Sequence, residues 1–361
     1  KDTQLAFWQL AADYLKKVDP KRIAVTGSNG KTTTKDMIAA ILEKKYRVHK
    51  TVASSNNEIG VPKTILDMPE DSQFLVAEMG MDRPGQLTAL SELVKPDLAL
   101  ITMIGEAHIE FFKSRAKIAD AKMEIINGLK DDGILVYNGD EPLLRERADR
   151  FKGRKITFGF ESGNDYHVTN LSQSDKLKFE VNGRGYSAHL LGDFNAVNAA
   201  AAIAVAEVYG LDQQQIHSAL DDLKVTSERL QLLEGKNQET IISDVYNSNP
   251  TAAIKAIDIL KTYPASGKKI IVLGDMLELG RQQVKMHERL VPYLRGAAFD
   301  RIYLVGPIMK NLTPLIDCIW YPSQSLDDLS VELNKILSKG DVVLLKASHG
   351  IHLEKVEKDL R

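Results

Sequence analysis

The stretch IAVTGSNGKTTT, from Ile23 to Thr34, decides how the rest of the chain is interpreted. A short β-branched run leads into a turn with two glycines, and a helical pattern from Lys35 to Leu42 follows directly. This order is typical of loops that hold a triphosphate, because backbone N–H groups close around the oxygens and the helix start adds its positive end. Lys31 would reach the β- and γ-phosphates, and the hydroxyl of Thr32 would bind Mg²⁺. The expected nucleotide-binding residues are Gly27, Ser28, Asn29, Gly30, Lys31, Thr32 and Thr33.

The alternative interpretation of this stretch is a plain strand-to-helix turn. That alternative does not explain why a lysine and three threonines follow the glycines. The strict eight-residue pattern would want Gly where Val25 stands, so the loop has the shorter G-x-x-G-K-T form.

The composition of the chain excludes several other classes. Its 361 residues favour about two to three domains with sizeable cores. The formal net charge of −2 argues against nucleic acid or an anionic membrane as a bulk electrostatic partner. No apolar run reaches the roughly eighteen residues of a membrane helix. The single cysteine, Cys318, excludes an internal disulfide and fits a reducing compartment. We therefore expect a cytoplasmic protein without a signal peptide, and a monomer.

Short apolar runs that alternate with helical patterns indicate an α/β fold. A helix is predicted over 3–17, with Asp2 or Thr3 as its cap. In the first half the predicted strands are 23–25, 74–77, 98–102, 133–137 and 155–158, and the predicted helices are 35–42, 86–94 and 114–129. A hairpin with an Asn182-Gly183 turn is expected within 165–190, followed by an alanine-rich helix over 194–209. Further on, the predicted strands are 240–243, 269–273, 301–305 and 341–345, and the predicted helices are 252–260, 284–294 and 326–337.

The domain organisation follows from this alternation. We predict a P-loop central ATPase domain with a mostly parallel sheet, followed by a smaller, Rossmann-like α/β C-terminal domain. The expected bounds are 1–19 for a linker helix, 20–226 for the central domain and 227–361 for the C-terminal domain.

Candidate chemical groups follow the predicted strands of the first half. Glu78 ends an apolar strand, where a carboxylate could hold Mg²⁺, although a solvated loop glutamate is equally reasonable. His108 follows the next strand, but a lone histidine is more often structural, and Glu106 and Glu110 are also available. Lys122 could equally belong to an ordinary surface helix face.

Three polar loops follow strands of the second half. They read SDVYNSNP (243–250), LGDMLELG (273–280) and KASHG (346–350). Side chains such as Asp244, Tyr246 and Asn249 suit hydrogen bonds to a polar ligand, although an Asx-rich turn that starts a helix would look the same. Together the loops suggest a second ligand-facing edge.

Taken in order, these motifs resemble those of the Mur ligases of peptidoglycan synthesis. The matching strings are TGSNGKTTTK (26–35), NNEIGVP (56–62), EMG (78–80), AHIEFF (107–112), IADAKMEI (118–125), DVYNSNP (244–250), LGDMLELG (273–280) with His287, and KASHG (346–350). Within the family, NNEIGVP, DVYNSNP and LGDMLELG favour the member that adds D-alanyl-D-alanine to UDP-N-acetylmuramoyl-tripeptide.

The resemblance implies a mechanism. A carboxylate of the nucleotide-linked peptide attacks the γ-phosphate of ATP, and the incoming amine then attacks the acyl phosphate. Lys31 would hold the β/γ-phosphates, Thr32 and Glu78 would serve one Mg²⁺, and His108 with a carbamylated Lys122 would serve a second. Two Mg²⁺ ions, Lys31 and Arg229 would offset the repulsion between the two anions, and closure of the C-terminal domain would position them.

The resemblance also implies further contacts. Asn195 and Asn198 would contact adenine, Arg229 a phosphate and Asp244 the ribose. The expected substrate contacts are Asn56, Asn57, Tyr246, Asn249, Lys346 and Ser348.

Several departures from the family pattern concern acceptor handling more than ATP binding. Ala53 and Ser54 stand where Gly and Asn are usual, Phe194 stands where His is common, and Ala347 and His349 replace the Gly and Arg of the last loop. The family also has an N-terminal domain that holds the UDP-sugar, and we expect that domain to be cut off or absent here. The alternatives are a sister Mur ligase, a folylpolyglutamate-type ligase, or a P-loop regulator or partner subunit without ligase turnover.

Overall fold

The computed structural model describes residues 2–174, 176–223 and 230–361, which fold into two compact units. One unit comprises Lys1–Gly105 and Phe112–Thr226, and the other comprises Glu106–Phe111 and Ser227–Arg361. The predicted boundary between residues 226 and 227 lies among 224–229, outside the described residues, and stays a prediction, as does the role of residues 1–19 as a linker.

The first unit is built on a sheet whose described strands number nine. Their order is β2-β3-β1-β4-β5-β6-β7-β8-β9. Strands β1 to β7 pair in parallel, and β8 and β9 add an antiparallel edge. The strands are β1 (Lys21–Thr26), β2 (Val48–Lys50), β3 (Phe74–Glu78), β4 (Leu98–Ile101), β5 (Ile134–Asn138), β6 (Arg154–Gly159), β7 (Tyr166–Gln173), β8 (Leu177–Val181) and β9 (Arg184–Ala188).

Helices connect the strands along residues 2–223. They are α1 (Thr3–Val18), α2 (Lys31–Leu42), α3 (Gly60–Leu66), α4 (Gln86–Val94), α5 (Ile109–Phe112), α6 (Arg115–Met123), α7 (Pro142–Ala148), α8 (Phe194–Val208) and α9 (Gln213–Asp221), with a 3₁₀ turn at Glu124–Ile126. Asp2 caps α1, as predicted, because its Oδ1 accepts hydrogen bonds from Gln4 N and Leu5 N. The small alanines of α8 are buried in the same core as α2, so this helix packs closely.

The predicted hairpin is confirmed. Asn182 and Gly183 join β8 to β9 with φ of +51° and +75°, and Val181 pairs with Arg184. A two-residue turn with both φ angles positive matches the twist of the flanking strands, which is why Asn-Gly is favoured there.

The second unit has a smaller sheet, of which six strands are described. Their order is β10-β11-β15-β12-β13-β14, and β10 alone among them is antiparallel to its neighbour. The strands are β10 (Gln231–Glu234), β11 (Thr240–Asp244), β12 (Lys269–Gly274), β13 (Arg301–Val305), β14 (Ile319–Tyr321) and β15 (Val342–Lys346). The helices are α10 (Pro250–Thr262), α11 (Gln283–Glu288), α12 (Val291–Arg295), α13 (Leu326–Ile336) and α14 (Glu354–Leu360), with 3₁₀ turns at Gly280–Gln282, Met309–Leu312 and His349–Ile351.

The predicted α/β class, with mostly parallel sheets, is confirmed. Two elements differ in ways that have a physical reason. Helix α2 begins at Lys31 rather than Lys35, because Gly30 at its N-cap adopts φ +83° and lets the helix start inside the loop. The helix predicted over 284–294 divides into α11 and α12, because Pro292 cannot donate a backbone hydrogen bond and disfavours helical geometry before it. Among the described residues, no helix is both long and apolar enough to span a membrane.

Candidate functional site

The glycine-bearing loop runs from β1 into the first turn of α2. Gly27 has φ +147°, and a Cβ there would lie 1.8 Å from Thr102 Oγ1, so only glycine fits. Thr102 Oγ1 donates a hydrogen bond to Asn29 O at 2.6 Å, and Ser28 N donates to Met103 O at 2.9 Å. Residues at the end of β4 therefore hold the loop in shape.

The second glycine brings α8 against the same loop. A Cβ on Gly30 would lie 2.7 Å from Asn198 Oδ1. Asn198 Nδ2 donates to Asn195 Oδ1 at 2.9 Å, and Asn195 Nδ2 donates to Leu191 O at 2.8 Å. The two asparagines are thus buried beside the loop, while their contact with adenine stays a prediction.

Lys31, Thr32 and Thr33 occupy the first turn of α2. Lys31 Nζ donates to Gly27 O at 2.8 Å and to Ser28 O at 3.5 Å, so its ammonium lies over the loop. The hydroxyls of Ser28 and Thr32 are buried and have no hydrogen-bond partner among the described residues. Because buried polar atoms normally find partners, these two hydroxyls are available to a ligand.

Glu78 ends β3 and is fully buried. Its Oε1 accepts a hydrogen bond from Asn56 Nδ2 at 2.8 Å, and its backbone N donates to Thr51 Oγ1 at 3.0 Å. Its Oε2 is buried and has no hydrogen-bond partner within the described part of the chain. Asn56 therefore orients this carboxylate, a contact that the sequence did not indicate; its predicted contact with substrate stays a prediction.

Lys122 lies near the end of α6, with 3% of its surface exposed. Burial lowers the pKa of its ammonium well below the ordinary range, Lys31 lowers it further, and Glu78 and Glu124 act in the opposite direction. The charges of Lys31 and Glu78 both act on Lys122, so we treat these three residues as one cluster. A buried lysine with a lowered pKa holds a larger fraction of uncharged, nucleophilic amine near neutral pH.

The donor set beside the loop fits Mg²⁺. Among the described residues, no group of three or more His, Cys, Asp and Glu side chains could hold a metal ion alone. Mg²⁺ does not need such a group, because it is usually bound through one or two carboxylates, waters and substrate phosphates. The buried Thr32 Oγ1 and Glu78 Oε2, which lack other partners in the described structure, are oxygens of this kind.

His108 is grouped with the second unit, in the segment Glu106–Phe111. Its Nδ1 lies 2.6 Å from Glu278 Oε2, and its backbone has φ +60°. In the same segment, Glu106 Oε2 accepts from Thr251 Oγ1 at 2.7 Å, and Glu106 Oε1 lies 2.9 Å from Arg289 Nη1. The predicted role of His108 at a second metal ion stays a prediction.

In the second unit, Asp244 and Lys346 end the neighbouring strands β11 and β15 and face each other in register. Lys346 Nζ lies 2.5 Å from Asp244 Oδ2 and donates to Asn247 O at 2.9 Å. The sequence predicted Asp244 at the ribose and Lys346 at the acceptor. The structure joins the two side chains in one ion pair, in which Lys346 is 1% exposed.

The remaining predicted substrate residues have local structural roles. Asn249 Oδ1 caps α10 by accepting from Ala252 N. Asn57 Oδ1 accepts from Gly60 N, at the first residue of α3. Ser348 Oγ accepts from Leu277 N at 2.9 Å. The ring of Tyr246 lies 5.9 Å from that of His349, centroid to centroid. Such contacts are as consistent with residues that only hold turns and helix starts as with residues that bind a polar ligand. Arg229 lies outside the described residues.

A buried aspartate, Asp275, directly follows β12, and a buried histidine, His287, lies on α11. His287 Nε2 accepts from Met276 N at 2.9 Å, and burial lowers the pKa of its imidazole. Asp275 accepts from Met309 N at 2.7 Å, and burial raises the pKa of its carboxyl. Both groups hold backbone of the second unit in place.

Comparison with known proteins places both parts of the chain in one family. The Mur ligase middle domain matches residues 25–206, and the Mur ligase glutamate ligase domain matches residues 228–349. A UDP-N-acetylmuramoyl-tripeptide–D-alanyl-D-alanine ligase of Bacillus subtilis (strain 168) is 41% identical over 99% of this chain and 80% of its own length.

Solved structures agree in fold. MurF ligase from Thermotoga maritima in complex with ADP superposes with a TM-score of 0.89, at 30% identity, over 100% of this chain and 84% of that one. MurF from Acinetobacter baumannii does so with a TM-score of 0.89, at 28% identity, over 99% and 80%. These matches cover nearly all of this chain and 80–84% of the relatives' own lengths, and they do not bear out the expectation of a missing upstream domain.

Proposed function

This chain belongs to the Mur ligase family, and we propose that it adds D-alanyl-D-alanine to UDP-N-acetylmuramoyl-tripeptide with cleavage of ATP to ADP and phosphate. The observation that carries the proposal is the first-unit cluster of Lys31, Thr32, Glu78 and Lys122, in which Lys31 is half-buried and the other three are buried beside the glycine-bearing loop. The relatives reported above are named for this reaction or solved with ADP.

The reaction has two steps. An oxygen of the peptide carboxylate attacks the γ-phosphorus of ATP, the bond to the β-phosphate oxygen breaks, and ADP leaves. The amine of D-alanyl-D-alanine then attacks the carbonyl carbon of the acyl phosphate, phosphate leaves, and the nitrogen loses a proton. Lys31 offsets the repulsion between carboxylate and triphosphate, and the loop's backbone N–H groups hold the phosphates in line.

Thr32 and Glu78 would hold Mg²⁺, and Asn56 fixes the orientation of the Glu78 carboxylate through Oε1. When bound, the ion neutralises phosphate charge and acts as a Lewis acid. We assign a second Mg²⁺ to His108 and a carbamylated Lys122. Support for the carbamate comes from the burial of Lys122, since CO₂ reacts with an uncharged amine and converts a cation into a metal-binding carboxylate.

The carbamate can be tested without turnover. Protein equilibrated with ¹³C-bicarbonate should give a ¹³C carbamate resonance that is absent from Lys122→Met. The partly exposed Lys44, changed to methionine, serves as the matched control and should keep the resonance. If Lys122→Met retains the signal, the carbamate lies on another amine and this part of the proposal fails.

The other predicted contacts complete the proposed site. Asn195 and Asn198 would bind adenine, Arg229 a phosphate and Asp244 the ribose. The proposed peptide and acceptor contacts are Asn56, Asn57, Tyr246, Asn249, Lys346 and Ser348. A monomer in the cytoplasm would suit these nucleotide-linked substrates.

Phosphate release tests the function. The purified protein should release phosphate from ATP only when UDP-N-acetylmuramoyl-tripeptide and D-alanyl-D-alanine are present together, and mass spectrometry should detect the pentapeptide product. Replacing D-alanyl-D-alanine by L-alanyl-L-alanine controls for non-specific stimulation. Phosphate release with glutamate and a folate as substrates would favour the folylpolyglutamate alternative. Phosphate release that does not depend on the substrate pair would favour the alternative of a P-loop regulator.

A further inference from the structure

Helix α2 carries a second lysine, Lys35, which the proposed reaction does not use. It lies one turn beyond Thr32, and its side chain is 1% exposed. Burying a lysine is costly unless its ammonium is well bonded, so a fully buried lysine usually serves a purpose that leucine or methionine would not. Burial is also the largest influence that lowers the pKa of this ammonium.

The ammonium of Lys35 makes one hydrogen bond to the backbone of another segment. Its Nζ donates to Thr51 O at 2.8 Å, and it lies 3.3 Å from Asp36 Oδ1. Asp36 does not require Lys35 for charge balance, because Lys50 Nζ lies 2.8 Å from the same oxygen. Lys50 can therefore replace Lys35 as the cation beside Asp36, but it does not replace the hydrogen bond from Lys35 to Thr51 O.

Thr51 joins Lys35 to Glu78. Its N donates to Val76 O at 3.1 Å, and its Oγ1 accepts from Glu78 N at 3.0 Å. Thr51 is thus held to β3 from both its backbone and its side chain. The negative charge of Glu78 also attracts the Lys35 ammonium, which raises the pKa of Lys35 against the effect of burial.

The opposite side of Glu78 is held by the loop that follows Thr51. Asn56 Nδ2 donates to Glu78 Oε1, and Gly80 N donates to Asn56 O at 2.7 Å. The same loop therefore holds Glu78 twice, with Thr51 on its backbone N and Asn56 on its carboxylate, and of the two carboxylate oxygens Oε2 has no partner among the described residues.

We propose that Lys35 is a positioning residue that holds the Thr51–Asn56 loop against Glu78 and so tightens the binding of Mg²⁺ with nucleotide. The inference rests on the proposed function only for the identity of the ion. A lysine suits the position because its long side chain reaches a buried carbonyl of the loop and its charge strengthens that hydrogen bond.

The experiment compares Lys35→Met with Lys50→Met. Both changes remove an ammonium near Asp36 and keep the alkyl chain, but only the first removes the bond to Thr51. Calorimetry with a non-hydrolysable ATP analogue, in Mg²⁺ and in EDTA, separates metal-dependent from metal-independent affinity. For Lys35→Met we expect Mg²⁺ to enhance nucleotide affinity about tenfold less than in the wild type, with affinity in EDTA unchanged. Lys50→Met should match the wild type in both buffers.

Two further variants keep the test decisive if Lys35→Met folds poorly. Thr51→Val keeps the carbonyl that Lys35 binds but removes the acceptor for Glu78 N, so it should show the same selective loss. Lys35→Arg keeps the positive charge, so it should retain part of the Mg²⁺ enhancement that Lys35→Met loses. An unchanged Mg²⁺ enhancement in folded Lys35→Met or in Thr51→Val would overturn the proposal, and so would an equal loss in EDTA.

These binding measurements need neither peptide substrate. If the wild type binds Mg²⁺ with nucleotide but does not release phosphate with the substrate pair, the proposed function fails while the role of Lys35 can still hold. In a ligase assay, Lys35→Met should raise the Mg²⁺ concentration for half-maximal rate about tenfold, with kcat recovered at saturating Mg²⁺. A fall in kcat that Mg²⁺ does not recover would contradict a positioning role.

Discussion

The two units each place polar side chains where parallel strands end, but the two edges are completed differently. In the first unit, Ser28 Oγ, Thr32 Oγ1 and Glu78 Oε2 are buried without partners among the described residues. In the second unit, Lys346 is paired with Asp244, and the buried His287 accepts from Met276 N. The first edge keeps bonding capacity for a ligand, whereas the second uses its polar groups to hold its own loops.

This difference predicts opposite consequences of mutation. Changes at the first edge should reduce activity with little loss of stability, and changes at the second should reduce stability. The two tryptophans of the chain allow each unit to be followed separately, because Trp8 lies in the first and Trp320 in the second. Unfolding of the first unit is measured in a Trp320→Phe background, and unfolding of the second in a Trp8→Phe background.

The largest expected effect is at Lys31. Lys31→Ala should lower kcat about 10³-fold, because the transferred phosphate loses its nearest protein cation. The free energy of unfolding of the first unit, from urea titration, should change by about 1 kcal/mol or less. Lys44→Ala, at a partly exposed lysine that contacts Ser218 and Asp222, should keep normal turnover. Near-normal kcat in Lys31→Ala would refute the assignment of the loop.

Lys346→Met should be more destabilising than Lys31→Ala, Glu78→Gln or His287→Gln. It leaves the Asp244 carboxylate without its buried partner, so the free energy of unfolding of the second unit should fall by about 3–5 kcal/mol. Adding Asp244→Asn removes the unpaired charge and should recover most of the loss. If the loss in the double variant equals the sum of the losses in the two single variants, the pair has no coupling and the comparison of the two edges is wrong.

Glu78→Gln should separate activity from stability. The change removes a buried charge but keeps the shape, so ligase turnover should fall about 10²-fold while the midpoint of thermal unfolding stays the same or rises. Asn164→Asp is a control that should lower the midpoint of thermal unfolding. It replaces a buried amide, which donates a hydrogen bond to Asp140, by a second carboxylate. A Glu78→Gln variant that is markedly less stable would show that the carboxylate is structural.

The smallest effect concerns pH. Burial holds the pKa of His287 below its ordinary value of 6.5, so the unfolded chain binds a proton there at a higher pH than the folded one. Stability should therefore be complete above pH 6.5 and fall as the pH drops below it, until the lower folded-state pKa is reached. The slope from this group is at most about 1.4 kcal/mol per pH unit. His287→Gln should flatten urea-unfolding energies between pH 7.5 and 5.5, whereas His352→Gln, at an exposed histidine, should not.

Much of the fold could be predicted from the sequence because its core strands are β-branched and its main helices are periodic. The short strands β2 and β14 have three residues each, too few to give a periodic signal. The division between α11 and α12 depended on one proline inside an otherwise helical pattern.

The site was predictable where neighbours in sequence carry the chemistry, as in Lys31 and Thr32. Contacts set by strand pairing were not. Asn56 reaches Glu78 because β2 pairs with β3, and that register cannot be obtained from local pattern. Lys35 reaches Thr51 because α2 packs against β2, which local pattern does not give either. The same holds for Asp244 and Lys346, which lie 102 residues apart in the chain.

Lys31 braces the loop from which it comes, since its ammonium binds the carbonyl oxygens of Gly27 and Ser28. When a triphosphate binds, its oxygens would replace these two carbonyl oxygens as the hydrogen-bond acceptors of the Lys31 ammonium. The loop is already folded in the described structure, so encounter and orientation should set the rate of nucleotide binding. The protein can then bind a new ATP after each turnover without refolding the loop that holds the phosphates.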